Sequence, residues 1–386
     1  MNKRTYLLVL LSILFLTGTQ GCKAQSKNEE TSTSPWELST PLKEGISTDV
    51  IESIHQDIEN GKYGLIDHFL LIRNGKIVAD HSYEQDYEKV MQKYDTTNHQ
   101  YNYDHTAWHP FYQNTKLHSL QSVTKSITSI LFGIAMDKGL IDSVGQRAMP
   151  YFGHYNPDLS DARKDTMTIH DLLTMRSGIE WDEQNYDNAN NSCVLMEGSE
   201  DWIQFVLDHP MATPPGTVFE YNSGASVLLG KIVREATGMR IDKWAEKVLF
   251  GPLGIKDYYW KFTPKGEVDT EGGLYLSSHD LARIGYLMLH FGMWDNKRIV
   301  SEAWVRASIN PEVQFNETSG YGYQWWVPAF KGTRTEIFAG NGFGGQFLMV
   351  VPKKDLVLVF NGWNIHDDTE MSSWKALQDR ILPAAW

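Results

Sequence analysis

The sequence predicts an α/β fold of the α+β type, in which helices flank an antiparallel sheet and a helical lobe is inserted. Strand patterns lie near both ends of the 386-residue chain, whereas helical patterns fill the middle. Asn74-Gly75 between two apolar runs predicts a two-residue hairpin, and residues 352–355 predict another short connection. Such connections favour antiparallel pairing, because parallel neighbours need long crossovers.

The N-terminus predicts export. Two basic residues precede an apolar run over residues 6–16, so residues 1–21 are predicted to be a signal peptide. Thr19-Gln20-Gly21-Cys22 resembles a bacterial lipoprotein cleavage site, which predicts lipidation of Cys22. Ordinary cleavage after Ala24 is the alternative. We therefore expect a periplasmic or cell-envelope protein that reaches the membrane only through this anchor.

The rest of the chain is predicted to be a tether and one domain. Residues 22–36 are polar and predict a flexible tether. Residues 37–386 are expected to form the domain, with an α/β lobe of about residues 37–120 and 255–386. The helical lobe would cover about residues 121–254.

Composition limits the partners. The formal net charge is −13 and no basic run is present, which argues against nucleic-acid binding. If Cys22 carries lipid, Cys193 has no disulfide partner in its own chain. His105 and His109 lack the helix that a metal-binding pair would need, so we expect neither a metal nor another cofactor. The expected partner is a small-molecule or peptide substrate.

The elements follow in order. A helix is predicted at residues 46–60 and the first hairpin at residues 68–83. The irregular, aromatic segment 93–118 is either a loop over a binding site or a flap packed on the surface. Further helices are predicted at residues 168–178, 201–208, 226–237, 280–291 and 371–381, and strands at residues 321–328, 336–339, 346–351 and 356–361.

Ser122 is the candidate nucleophile. An apolar stripe at helical spacing (Ile127, Ile130, Leu131, Ile134) places Ser122 at the start of a buried helix, with Lys125 one turn later. A serine hydroxyl needs a base, and burial should lower the pKa of Lys125 enough to supply one. The helix N-terminus favours an oxyanion. A second Ser-x-x-Lys, from Ser372 to Lys375, is interpreted as a solvated helix start.

Two later motifs could complete the site. Tyr221 lies in a loop before a predicted helix, where a phenol near a lysine can shuttle a proton. A buried core tyrosine is the alternative. Glycines crowd residues 340–345, and their backbone N–H groups could complete an oxyanion hole. A tight hairpin would also use glycines.

In this order, Ser122-x-x-Lys125, Tyr221 and the glycine-rich strand resemble the serine β-lactamase and penicillin-binding-protein superfamily. The likeness runs from about residue 65 to 380 and is greatest for the class C and esterase-like branch. Within that branch, Tyr-x-Ser, Gln324-Trp325-Trp326 and Gly345-Gln346 are similar to 6-aminohexanoate-dimer hydrolases. The resemblance implies a β-lactamase/transpeptidase-like fold and catalysis through an acyl-enzyme.

The resemblance also implies roles for individual residues. The catalytic residues would be Ser122, Lys125 and Tyr221, and the backbone N–H groups of Ser122 and Phe343 would form the oxyanion hole. Substrate-binding residues would be Ser223, Asn341, Gly342, Trp325 and Trp326. The cation that usually precedes Thr-Gly in the third motif is missing from Gly340-Asn341-Gly342. This departure favours an ester or amide hydrolase; a penicillin-binding sensor, a D,D-peptidase or a β-lactamase is the alternative.

Overall fold

The computed structural model describes residues 36–86, 89, 116–316, 319–328, 337–365 and 369–386. The predicted signal peptide, Cys22 and residues 93–115 of the aromatic segment lie outside the described residues. Trp36, predicted as the end of the tether, is buried edge-on against Tyr286 and Trp294. Trp36 therefore belongs to the folded unit, while the division into two lobes stays a prediction.

Strands from both ends of the chain form the main sheet. The described strands are β1 (Glu37–Leu38), β2 (Ile66–Arg73), β3 (Lys76–Ser82), β4 (His118–Ser119), β5 (Tyr259–Trp260), β6 (Leu274–Leu276), β7 (Met293–Trp294), β8 (Lys297–Arg298), β9 (Val313–Asn316), β10 (Ser319–Tyr321), β11 (Trp326–Pro328), β12 (Phe338–Gly342), β13 (Gln346–Val351) and β14 (Leu356–Gly362). Nine of these described strands make one sheet in the order β1-β3-β2-β14-β13-β12-β11-β10-β9. Its neighbours are antiparallel except β1 and β3.

Helices fill the middle of the chain. The described α-helices are α1 (Thr48–Glu59), α2 (Val123–Asp137), α3 (Ala162–Thr166), α4 (Ile169–Leu173), α5 (Ser192–Gly198), α6 (Trp202–Asp208), α7 (Ser223–Thr237), α8 (Ile241–Ala245), α9 (Gly251–Leu253), α10 (Ser278–Leu289), α11 (Glu302–Ser308), α12 (Ser373–Lys375) and α13 (Leu382–Ala384). Tighter 3₁₀ turns lie at Met149–Phe152 and Pro352–Lys354, and π turns lie at Glu246–Phe250 and Ala376–Ile381. Within the described part of the chain, no helix combines the length and apolarity needed to cross a bilayer.

The two faces of the sheet bury different helices. Along β2, Leu70 and Ile72 join the apolar cluster that contains α2, whereas Phe69 and Leu71 join a second cluster with α1. This division follows from the two-residue period of a strand, which sends alternate side chains to opposite faces. Helices thus cover both sides of an antiparallel sheet, and the predicted fold class is confirmed.

One predicted turn is confirmed and one predicted strand is wrong. Asn74 and Gly75 have φ values of 52° and 71°, as a two-residue hairpin turn requires. The segment predicted as one strand over residues 321–328 is instead the hairpin of β10 and β11. Gln324 adopts a left-handed φ of 62° between them, which breaks the extended conformation.

Candidate active site

The start of α2 positions Ser122 and Lys125. Ser122 is half-buried at the N-cap, and the preceding Gln121 has a left-handed φ of 47°, a strained conformation typical of functional turns. Every residue from Val123 to Ala135 is buried, so the helix is fixed on all sides. One helical turn brings the side chains together: Lys125 Nζ lies 2.8 Å from Ser122 Oγ.

Glu271 completes the surroundings of Lys125. The ammonium donates to the Glu271 backbone oxygen at 2.9 Å and to its Oε2 at 3.0 Å. The Lys125 side chain is only 1% exposed and that of Glu271 only 5%. The carboxylate therefore lies within direct proton-transfer distance of the amine.

The expected lowering of the Lys125 pKa is wrong. Burial does act to lower it, but electrostatic interactions with Tyr221, Glu271 and Glu183 act more strongly and raise the pKa of Lys125 well above its usual value. Desolvation alone predicts a lowered pKa, whereas the buried counter-ion Glu271 opposes that effect. Lys125 is consequently an ammonium in the resting site.

Tyr221 approaches from the loop before α7. Its ring centroid lies 5.2 Å from Lys125 Nζ, the atom that contacts Ser122 Oγ. Trp326 stacks on the ring at 5.8 Å, which fixes its plane. Burial raises the pKa of Tyr221, against the opposing effects of Lys125 and the Ser122 hydrogen bond. The structure thus brings all three predicted catalytic side chains together.

Glu183 is a second carboxylate that the sequence argument missed. It is buried, and its oxygens accept from the Ser223 backbone N–H at 2.8 Å and from Ser223 Oγ at 2.6 Å. Trp181 and Tyr186 also donate to it, at 2.7 and 2.8 Å. Burial raises the pKa of Glu183, although Lys125 lowers it. The sequence signal that could have indicated Glu183 is the presence of Trp181 and Tyr186 on either side of it, within an acidic, Asn-rich stretch.

The predicted substrate contact of Ser223 is wrong for this structure. The side chain has no exposed surface, and its hydroxyl is held by Glu183. Helix α7 begins at Ser223, three residues before its predicted start, which turns this residue inward. Ser223 therefore positions Glu183 instead of contacting substrate.

Glycines let β12 pass close to the start of α2. A Cβ on Gly340 would lie 2.8 Å from Val123 Cγ1, and one on Gly342 would lie 2.4 Å from the Leu120 backbone oxygen. Gly342 thus allows close approach to the backbone before α2. Its predicted substrate contact stays a prediction. The next residue, Phe343, opens the turn to β13 and packs on Tyr186 with ring centroids 4.9 Å apart. Its oxyanion role, with that of the Ser122 N–H, stays a prediction.

The two neighbouring tryptophans have different environments. Trp326 and Asn341 line a cavity of about 390 Å³, together with Trp374 and Gln378. Trp325 has no exposed surface and packs edge-on against Phe338, so its predicted substrate contact is wrong. Trp325 lies just before β11, which begins at Trp326, and the two side chains have different neighbours.

A buried cluster beside Lys125 is a poor metal site. Ligand atoms of Cys193, Glu197 and Glu271 lie within 4.8 Å of one another. However, Glu271 already pairs with the Lys125 ammonium, which takes the place of a cation. Burial, followed by the nearby carboxylates, also raises the pKa of the Cys193 thiol well above its usual value, which disfavours the thiolate that metals bind.

Sequence comparison relates this site to known proteins. The sequence model of the Beta-lactamase family matches residues 67–375. A 6-aminohexanoate-dimer hydrolase from Paenarthrobacter ureafaciens is 28% identical over 287 residues, which cover 69% of this chain and 70% of that protein. Esterase EstB from Burkholderia gladioli is 30% identical over 165 residues, 40% of this chain and 41% of the esterase.

Solved structures share the fold. A family VIII carboxylesterase superposes with a TM-score of 0.65 at 14% identity, covering 90% of this chain and 98% of the esterase. An octameric penicillin-binding protein homologue from Pyrococcus abyssi gives a TM-score of 0.61 at 18% identity, covering 85% and 75% of the two chains. At these identities the likeness concerns the fold alone.

Proposed function

This chain belongs to the Beta-lactamase family, and we propose that it hydrolyses an ester or amide bond of a small molecule or peptide through an acyl-enzyme on Ser122. Similar proteins include a 6-aminohexanoate-dimer hydrolase and an esterase, which support serine hydrolase chemistry. The observation that carries the proposal is the contact of Lys125 Nζ with Ser122 Oγ at 2.8 Å. A general base must lie within such a distance of the proton it removes.

Glu271 explains how an ammonium can serve as that base. A protonated lysine has no lone pair for the Ser122 proton, so it must first lose one of its own. Lys125 passes a proton to Glu271 Oε2, 3.0 Å away, as it accepts the proton of Ser122. One N–H bond breaks as one forms, the O–H bond of Ser122 breaks, and an O–H bond forms on Glu271. The freed oxygen of Ser122 then attacks the substrate carbonyl.

Tyr221 would give its own phenol proton to the leaving group. Its ring and Ser122 Oγ both lie beside Lys125 Nζ, which places the phenol near the bond that breaks. After the leaving group departs, the Tyr221 phenolate would take a proton from the attacking water, and Glu271 would return its proton through Lys125 to Ser122 Oγ as the acyl bond breaks. The backbone N–H groups of Ser122 and Phe343 would stabilise the negative oxygen of each tetrahedral intermediate.

The charges around the site disfavour a substrate carboxylate. The third motif offers Gly340-Asn341-Gly342 where a cation would attract one. Glu183 and Glu271 add negative charge near Lys125. The cavity beside Trp326 and Asn341 instead suits an apolar group with a hydrogen-bonding atom. These features support an ester or amide without a neighbouring carboxylate.

A substrate panel tests this proposal. The purified protein would be assayed with p-nitrophenyl esters, aminohexanoate oligomers, nitrocefin and D-Ala-D-Ala peptides. Turnover of an ester or amide that exceeds turnover of nitrocefin and of the peptides supports the proposal. Preferred turnover of nitrocefin or of the peptides would instead identify a β-lactamase or a D,D-peptidase. Stable acylation without release would identify a penicillin-binding sensor.

We propose the cellular location separately. The basic and apolar N-terminal segments and Cys22 support export and lipid anchoring in the cell envelope. Wild-type protein expressed in a bacterial host should incorporate radiolabelled palmitate and sediment with membranes. Cys22→Ser should lose the label and appear in the soluble fraction. Equal palmitate labelling of both proteins would contradict a lipid on Cys22.

A further inference from the structure

A cluster of two histidines and one aspartate lies outside the site described above. His68 is on β2, Asp80 is on β3, and His279 is in the first turn of α10. His68 Nε2 lies 2.8 Å from Asp80 Oδ1, and His279 Nε2 lies 2.8 Å from Asp80 Oδ2. One potential ligand atom from each side chain falls within 4.8 Å of the others.

We propose that His68, Asp80 and His279 bind one divalent transition-metal ion of the zinc type. Two imidazoles and one carboxylate are a ligand set that zinc uses where a fourth position stays open to water or substrate. Ligands of a tetrahedral zinc ion lie roughly 3.4 Å apart, given bonds of about 2.1 Å. The two histidine–aspartate distances of 2.8 Å therefore need to lengthen by only about 0.6 Å to receive the ion.

The backbone preorganises these ligands. Leu70 pairs with Asp80 across β2 and β3, so His68 and Asp80 are diagonal neighbours on one face of the sheet. His279 reaches the same point from the start of a 12-residue helix. Ligands on strands and helices hold their geometry better than ligands on loops.

A second contact favours the correct tautomer of His68. Ser82 Oγ lies 3.2 Å from His68 Nδ1. When Nε2 binds a metal, the proton resides on Nδ1 and needs an acceptor, which the hydroxyl oxygen supplies. Such outer contacts orient ligating histidines in known metal sites.

The fourth position would face open space. The three ligands line a cavity of about 710 Å³, along with Glu84, Lys116 and Asn361. Among the residues that the structure describes, the ion pairs of Asp80 are with these two histidines, not with a lysine or arginine. Within the described part of the chain, an incoming metal ion would thus displace no lysine or arginine from Asp80.

Local spacing in the sequence predicts no metal site. These ligands come from positions 68, 80 and 279, so no short motif joins them. The alternative is a purely structural cluster, in which Asp80 accepts a proton from each histidine. A metal site and a purely structural cluster differ in whether the protein binds metal stoichiometrically.

Calorimetric titration with zinc decides between them. The purified protein, without a polyhistidine tag and stripped with EDTA, should bind one zinc ion per chain through this cluster. His68→Ala, His279→Ala and Asp80→Asn should each lower zinc affinity on the order of 100-fold or more. His154→Ala removes an exposed histidine elsewhere and should bind as wild type does. Ser122→Ala should also bind normally, which separates this site from the proposed hydrolase.

Two results would overturn the proposal. One is the absence of stoichiometric zinc binding by the wild-type protein. The other is wild-type affinity in folded His279→Ala and Asp80→Asn proteins, which would locate any bound zinc elsewhere. Circular dichroism establishes folding, and Asp80→Asn preserves side-chain size if a histidine variant fails to fold. Cobalt substitution gives an independent readout, because its visible absorption should be lost in the same variants.

Discussion

Lys125 Nζ and Glu271 Oε2 form an ion pair at 3.0 Å, and both side chains are buried. A buried charge requires a partner, and the loss of either member leaves the other uncompensated. The same ammonium contacts Ser122 Oγ at 2.8 Å. The pair therefore links the nucleophile to a carboxylate that can hold its proton.

Glu271→Gln should reduce kcat by about 10²–10⁴-fold, because glutamine cannot accept the proton that Lys125 releases. The amide keeps the size of the carboxylate and can still accept a hydrogen bond from Nζ. Ester turnover is the measurement, with the melting temperature as a check on folding.

The matched control is Glu302→Gln, which alters a more exposed glutamate that pairs with Arg306. It should retain wild-type kcat. A folded Glu271→Gln protein with wild-type kcat would show that Lys125 removes the Ser122 proton without this carboxylate.

Tyr221→Phe should lower kcat by about 10²–10⁴-fold on amides, whose leaving groups need a proton. The ring and its stacking on Trp326 remain, so KM should change little. In the acylation step, measured as the pre-steady-state burst, the loss should be smaller on p-nitrophenyl esters, because p-nitrophenolate leaves without protonation. Losses of equal size on both substrate types would exclude Tyr221 as the acid.

The adjacent tryptophans should respond differently to alanine. Trp326→Ala should raise KM about tenfold, equivalent to ~1.4 kcal/mol of lost contact, with little change in stability. Trp325→Ala should lower the free energy of unfolding by about 3–5 kcal/mol, because this side chain is fully buried. Urea unfolding and substrate-dependence curves measure the two effects. An unchanged KM in Trp326→Ala would remove Trp326 from the substrate site.

Asp269 predicts a pH-dependent stability. Burial, with the nearby charge of Glu271, raises its pKa from 3.8 to about 6, although Lys261 opposes the shift. The folded protein thus holds this proton more tightly than the unfolded chain does. Stability is therefore lost as pH rises from about 4 to about 6, by ~3 kcal/mol in total.

Asp269→Asn removes this titration. The variant's free energy of unfolding, minus that of the wild type, should increase between pH 4 and pH 6 and then level off, because only the wild type loses stability over this range. Urea unfolding at pH 4, 5, 6 and 7 measures the difference. A difference that is constant over that range would contradict the raised pKa.

The sequence predicts what short patterns encode. The apolar stripe of α2 and the spacing of Ser122 and Lys125 predict their contact, and Asn74-Gly75 predicts its hairpin. The second Ser-x-x-Lys also meets its prediction, since Ser372 caps α12 by accepting from the Lys375 N–H at 3.3 Å. In each case neighbours in sequence determine the geometry.

Long-range contacts explain what the sequence argument missed. Glu271 meets Lys125 across 146 positions, and a lone carboxylate beside two glycines carries no local signature. Without that contact, desolvation alone gave the wrong direction for the Lys125 pKa. The separation of Trp325 from Trp326 likewise depends on distant packing partners, since Trp325 packs on Phe338 and Trp326 lines the cavity.

The most direct test of Ser122 as the nucleophile is fluorophosphonate labelling followed by intact-mass measurement and peptide mapping. The wild-type protein should gain one adduct per chain, located on Ser122. Ser372→Ala, which alters the exposed copy of the motif, should label equally, whereas Ser122→Ala should not label. An adduct on another residue, or undiminished labelling of folded Ser122→Ala, would contradict the assignment.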